Sequence, residues 1–232
     1  MIAILVSAAL AVAASTRDVI VDRVKMAIDQ TRTQIAALPP ARNDSETLVR
    51  LGRIDEAPRK VIMATDFSAL PEAERDRTVK EISRLVDASD RSNQLELLRL
   101  LPASGWFRAS QYGPSATTAA FQIVQHAGPE LWKTVLPRLA PLVATGEVEG
   151  QYYGMMIDRE AISEGHPQRF GTQFRCDGGK WRPYPIESPD GLEARRAELR
   201  FPVTYAEMKA HFAAGPPCLQ TTSPPPPGMK LD

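Results

Sequence analysis

The chain changes its hydrophobic period at Gly165. Before it, apolar residues recur every three or four positions, the spacing of helices that bury one face. After it, Arg169 to Cys176 and Trp181 to Ile186 fit two strands around the turn Asp177-Gly-Gly-Lys180. Pro183 and Pro185 hold the second strand at an edge, because neither can donate to a ladder. The expected fold is therefore mainly α, a compact bundle of about seven to nine short helices with one small β-hairpin.

Local signals divide the helical part. Thr16 to Leu38 reads as one helix, with Val19, Val24, Ile28 and Ile35 on its apolar side, and Pro39-Pro40 stops it. Ser45 is expected to cap a short helix through Leu48, Leu51 and Ile54 that ends before Pro58, with a further piece over Lys60 to Thr65. Ser68-Ala-Leu-Pro71 starts the next, where Glu72 and Glu74 complement the helix dipole and Val79, Ile82, Leu85 and Val86 face a core. The polar run Asp87 to Asn93 predicts a break before a second helix with Leu95, Leu98 and Leu101. Ser115 to Ala127 and Leu131 to Val143 are helical, the latter kinked or split at Pro137 and Pro141. Glu149 to Glu164 follows, then helices from Asp190 to Leu199 and from Thr204 to Phe212. The domain reading is a signal peptide over 1–14, N-terminal helices over 15–70, a helical domain with hairpin over 71–214, and a disordered proline-rich tail over 215–232.

Lys plus Arg equals Asp plus Glu across 232 residues, so net charge is zero. A nucleic-acid partner would need a basic excess gathered into a stripe, and none is present. Met1 to Ala14 is apolar, too short for a span of about 20 residues, and ends in an Ala-x-Ala pattern near Ala11-Val12-Ala13. It is expected to be a signal peptide that exports the chain to the periplasm or medium, leaving no membrane span after cleavage. Its departure from the usual pattern is that no Lys or Arg precedes the apolar run. Two cysteines, Cys176 and Cys218, allow either one disulfide tying the tail to the hairpin or two unpaired thiols.

Candidate chemistry gathers in two stretches. In Phe121-Gln-Ile-Val-Gln-His-Ala127, His126 lies four residues after Gln122 and beside Gln125, in an otherwise apolar helix. An imidazole can serve as a general base near neutrality, or as a hydrogen-bonded core group. In Glu164-Gly-His-Pro-Gln-Arg-Phe-Gly-Thr-Gln-Phe174, strand alternation would point Arg169 and Gln173 the same way. Arg169 could hold an anion with its planar donor fork, or could bind Asp158 and lock the hairpin down. Asp158-Arg159 could orient the imidazole or form a structural ion pair. Gln125, Gln168 and Gln173 suit peptide-like or sugar-like groups, and equally suit buried backbone. The sequence lacks GxSxG, SxxK, a P-loop, GxGxxG, HExxH and CxxC, so no serine nucleophile, cofactor or metal is indicated.

Trp106, Tyr112-Gly, Val124-Gln-His-Ala127, Gly146-Glu-Val148, Asp158-Arg159 and Glu164-Gly-x-Pro-Gln-Arg-Phe-Gly-Thr-Gln173, in this order, resemble a bacterial domain family of unknown function. The pattern continues into Pro185-Ile-Glu187 and Ala194-Arg-Arg-Ala197. It covers about Ser89 to Phe201, leaves the helices of Thr16 to Leu70 outside, and departs from the family at His166, where Arg is usual. The resemblance implies which residues matter and no reaction. Two functional readings follow. One is a cell-envelope binding module whose pocket, lined by Trp106, Gln125, His126, Gln168, Arg169 and Gln173, holds a small polar ligand or peptide. The other is a hydrolase or transferase in which His126 is the base, Asp158 orients it and Arg169 stabilises developing negative charge. A purely structural polar core is the third possibility.

Overall fold

The computed structural model describes residues 15–215, Cys218 and Met229. Met1 to Ala14 and most of the tail, where a leader and disorder are expected, lie outside the described residues. The fold is mainly α, with nine α-helices and one two-stranded antiparallel hairpin among the described residues. The first three helices are α1 (Thr16–Ala36), α2 (Asp44–Met63) and α3 (Glu72–Leu100), with a 3-10 turn, Phe67–Ala69, before the third. Ser15 caps α1 by accepting from the Asp18 amide. Asn43, rather than Ser45, caps α2 by accepting from the Glu46 amide at 2.9 Å.

Two expected breaks are absent. α2 runs straight through Pro58, which is buried. α3 runs unbroken through Asp87 to Asn93 for 29 residues. Within the polar run, Asp87, Arg91 and Ser92 face solvent while Ser89 and Asp90 are buried against arginines of neighbouring helices. Local polarity misleads here, since Ser89 and Asp90 find partners across helices in Arg32 and Arg59.

The second half continues as α4 (Ala109–Tyr112), α5 (Pro114–Gln125), α6 (Pro129–Ala144) and α7 (Gly150–Ser163). α6 is also continuous: Pro137 and Pro141 lie on its exposed side, where water can serve the carbonyls left without an amide partner. The hairpin pairs β1 (Phe174–Asp177) with β2 (Lys180–Pro183). Gly178 and Gly179 both have positive φ, as a tight two-residue hairpin turn requires. The strands are shorter than expected. Residues 168–173 form a loop, joined to the distal arm by one bridge between Gln168 and Ile186. α8 (Leu192–Glu198) and α9 (Tyr205–Ala214) close the chain, the latter with a Thr204/Glu207 capping box. α9 packs its Phe212 on Phe174 of β1, ring centroids 4.0 Å apart. A disulfide joins Cys176 to Cys218, and the Cys218 amide donates to the Gly179 carbonyl, so the tail is pinned to the hairpin at that point.

Buried apolar residues form two clusters. The larger spans α2, α5, α6 and α7 around Trp106, Phe107, Ile123, Leu139 and Met156. The smaller joins Ile20, Val21 and Val24 of α1 to Phe67, Leu70 and Ile82. None of the described helices is long and apolar enough to cross a membrane.

Candidate functional site

The site begins where α2 crosses α5. Gly52 meets Ala119 so closely that a Cβ on Gly52 would lie 2.7 Å from the Ala119 Cβ. That contact lets the helices approach and sets Asp55, three residues further on, opposite the C-terminus of α5. His126 is the C-cap of α5. Its Nδ1 lies 2.9 and 3.2 Å from the two carboxylate oxygens of Asp55. A nitrogen facing two carboxylate oxygens carries the hydrogen and donates it. The neutral ring therefore keeps its lone pair on Nε2. The amide nitrogen of Gln125 lies 3.4 Å from that Nε2, a donor facing the lone pair. Asp55 is 1% exposed in its side chain and His126 19%, so the carboxylate sits behind a ring that solvent can reach.

The polar chain continues away from the ring. Arg59, one turn along α2, lies 3.3 Å from Asp55 and forms a two-pronged pair with Asp90 of α3 at 2.7 and 3.1 Å. It also donates to the Asp55 backbone carbonyl at 2.6 Å. His126, Asp55, Arg59 and Asp90 thus link α5, α2 and α3 in one line. Burial pushes the Asp90 carboxyl above its ordinary value, with Arg59 pulling against that shift.

Gln125, His126, Arg59 and Asp90 share a cleft of about 500 Å³ with Arg159 of α7. Its floor is apolar, from Phe67, Ile82, Val86 and Trp132. Arg159 has no hydrogen-bond or ion-pair partner among the described residues, and its Nε is buried without an acceptor. Burial, and then the like charge of Arg59, push its guanidinium below the ordinary arginine range. The described residues contain no group of three or more His, Cys, Asp or Glu placed to hold a metal ion.

Of the residues expected at a site, His126 and Gln125 are in this cleft and the others are elsewhere. Asp158 is fully buried one helix away and turns from His126. It accepts from the amides of Arg169, Phe170 and Thr172 at 2.7, 2.9 and 2.9 Å, and from the Thr172 hydroxyl at 2.8 Å. The carboxylate on the imidazole is Asp55 instead. Arg169 is exposed, lies over the Phe170 ring at 5.9 Å and does not line the cleft. The alternation that aimed it with Gln173 fails because residues 168–173 are not a strand. Gln168 is fully buried and saturated, donating to the Gln173 and Tyr184 carbonyls and accepting from the Gln173 amide. Gln173 donates to the Thr172 hydroxyl at 2.9 Å. Trp106 is a core residue, 1% exposed. The polar focus of the loop is thus real, and it works on its own backbone.

Asp55, Arg59 and Asp90 escaped sequence reasoning, and Arg159 was seen only as an ion-pair candidate. The available signal was register. Asp55 lies four residues after Leu51 and seven after Leu48, and Asp90 four after Val86 and eight after Ile82. Charges on the core side of a helix need a partner or a purpose.

A family model described as a family of unknown function (DUF6624) matches residues 47–210. The match reaches back across α2, so Asp55 and Arg59 fall inside it although the sequence pattern began at Ser89. No curated protein and no solved structure matches the chain.

Proposed function

The chain belongs to DUF6624, a family of unknown function, and we propose that it is a hydrolase in which the Asp55–His126 pair deprotonates a water molecule for attack on a small substrate held in the cleft. One observation carries this reading: Nδ1 of His126 is held by a buried carboxylate while the part-exposed ring lines an open cleft, where its Nε2 meets only the side-chain amide of Gln125, at 3.4 Å. A carboxylate behind the ring fixes its tautomer and stabilises the imidazolium formed when Nε2 takes a proton. The imidazolium then returns that proton to the leaving group. Arg59 supplies Asp55 with a positive neighbour at 3.3 Å, and the apolar floor strengthens each charge interaction by excluding water.

The test joins a chemical and a kinetic readout. Diethyl pyrocarbonate attacks an imidazole lone pair, so His126 should be carbethoxylated in the folded chain, with modified sites mapped by mass spectrometry. Among a panel of p-nitrophenyl esters and phosphoesters, hydrolysis of at least one should fall by about 10²–10⁴-fold in His126→Ala. An unmodified His126 beside modified His166 and His211, or equal turnover by wild type and variant, would overturn the reading.

A second reading, a binding pocket for a small polar ligand or peptide, is favoured by one feature. No hydroxyl or thiol of the described residues is hydrogen-bonded to Nε2. Ligand binding with no turnover across the panel would select it. Export, expected from Met1 to Ala14, belongs to the proposal too. The Cys176–Cys218 disulfide supports it, since such bonds persist in oxidising compartments. An intact mass retaining residues 1–14 in chain recovered from its native cell would count against it.

A further inference from the structure

We propose that Arg159 anchors the carboxylate of the substrate, a small molecule with one negative charge at one end and an apolar body. The proposal rests on reading the cleft of His126 as the substrate site. Two arginines of this protein, Arg196 buried and Arg159 half-buried, differ in what surrounds them. Arg196 donates from its two Nη atoms to the Phe170 and Val203 carbonyls at 2.7 Å each and lies over the Phe201 ring at 4.3 Å. Its place in the fold explains it. Arg159 has no such partner among the described residues, although it lies in the wall of a cleft large enough for a small ligand. A charged group that gives up part of its hydration is ordinarily paired, because an unpaired one gives it up for nothing. Its charged neighbour is Arg59, of the same sign and already engaged by Asp90 and Asp55. An arriving anion would meet a half-buried guanidinium with no partner among the described residues, its planar donor fork suited to a carboxylate.

The rest of the cleft narrows the class. Asp90 and Asp87 of α3 line the same space, and Asp55 stands behind the ring. A second negative charge on the ligand would face those carboxylates, so one charge fits better than two. Phe67, Ile82, Val86 and Trp132 offer the remaining surface to hydrocarbon. The bond to be cleaved would then lie on the His126 side of the ligand and its carboxylate on the Arg159 side.

The test is a calorimetric titration of the disulfide-bonded chain at pH 7. The probes are monocarboxylates of four to ten carbons, straight-chain and phenyl-terminated, each against its neutral amide, with phenyl phosphate alongside. At least one carboxylate should bind about 10-fold or more tightly than its amide. Arg159→Gln should remove that preference, and His126→Gln should keep it. Equal affinity for acid and amide, no binding by any carboxylate, or tighter binding of phenyl phosphate would each overturn the assignment. So would an Arg159→Gln variant that still prefers the acid. Arg159→Met supplies a readout that needs no ligand: removing an unpaired half-buried charge should leave the melting temperature unchanged or raise it, and a marked drop would make Arg159 structural. Carbethoxylation of His126 is independent of all these outcomes, so the loss of the anchor and the loss of the base can be told apart.

Discussion

Replacing Asp158 with alanine should cost the protein several kcal/mol of stability and leave the His126 cleft chemically intact. The carboxylate is fully buried and accepts four hydrogen bonds within 2.9 Å, three from backbone amides of the loop 169–172 and one from the Thr172 hydroxyl. Hydrogen bonds to a charged group contribute about 1.5–3 kcal/mol each, and a stranded buried donor costs about 1–3 kcal/mol. The amide of Phe170 is the deeply buried one, while those of Arg169 and Thr172 are near enough to the surface for water to replace part of what they lose. Burial also pushes the Asp158 carboxyl above its ordinary value, so removing it recovers some desolvation. The net is a loss of about 3–5 kcal/mol, the range for breaking a buried charged network. For a chain of this size that lowers the melting temperature by roughly 6–20 °C. Asparagine should not rescue it, because its NH2 would confront the same amides. Urea denaturation followed by far-ultraviolet circular dichroism measures the loss. A change below about 1 kcal/mol, or altered reactivity of His126 in a stable Asp158→Ala chain, would refute the assignment of Asp158 to the loop and restore it to the imidazole.

Three further outcomes are expected. Gly52→Ala should push α2 from α5, because its Cβ would sit 2.7 Å from that of Ala119; a loss of about 1–3 kcal/mol in denaturation with slower carbethoxylation of His126 is the expected pair of effects. Asp90 has a folded pKa above its ordinary 3.8, so folding binds a proton there. Its contribution to stability is largest below that ordinary value and is lost as pH rises through the raised one; Asp90→Asn should flatten this part of the pH dependence in denaturation midpoints taken from pH 3 upward. Reducing Cys176–Cys218, which closes a separation of 42 residues, should cost at most about 4 kcal/mol on chain-entropy grounds, and unchanged stability under reductant would show that the tail's attachment is incidental.

What could be read from the sequence was what depends on near neighbours. The Asp177-Gly-Gly-Lys180 turn declares its hairpin, Thr204 declares a helix start, and His126 stands out in an apolar helix. What could not be read depends on which helices touch. Pro58 looks like a stop until α2 is seen packed on both sides, and Asp87 to Asn93 looks like a loop until Arg32 and Arg59 are placed against it. Asp55 and Asp158 are equally plausible partners for an imidazole in one dimension. The choice is made by the close crossing at Gly52 and Ala119, a contact between residues 67 positions apart. The loop 168–173 carries the most distinctive pattern of the chain, yet its amides and its one hydroxyl, on Thr172, turn inward onto Asp158 and Gln168.

The division of the interior into two apolar clusters bears on how the molecule breathes. The layer of α1 and the front of α3 rests on the smaller cluster, and the line from Asp90 to His126 ties it to the rest beside the packing of both helices on α2. Such a layer is suited to open as a unit, with a free energy below that of global unfolding. Amide hydrogens of α1 should then exchange faster than those of α5 in the empty protein. An occupant of the cleft touches both sides, so it should slow exchange in α1 far from any atom it contacts. Exchange rates in that distant helix would report occupancy before the occupant itself is known.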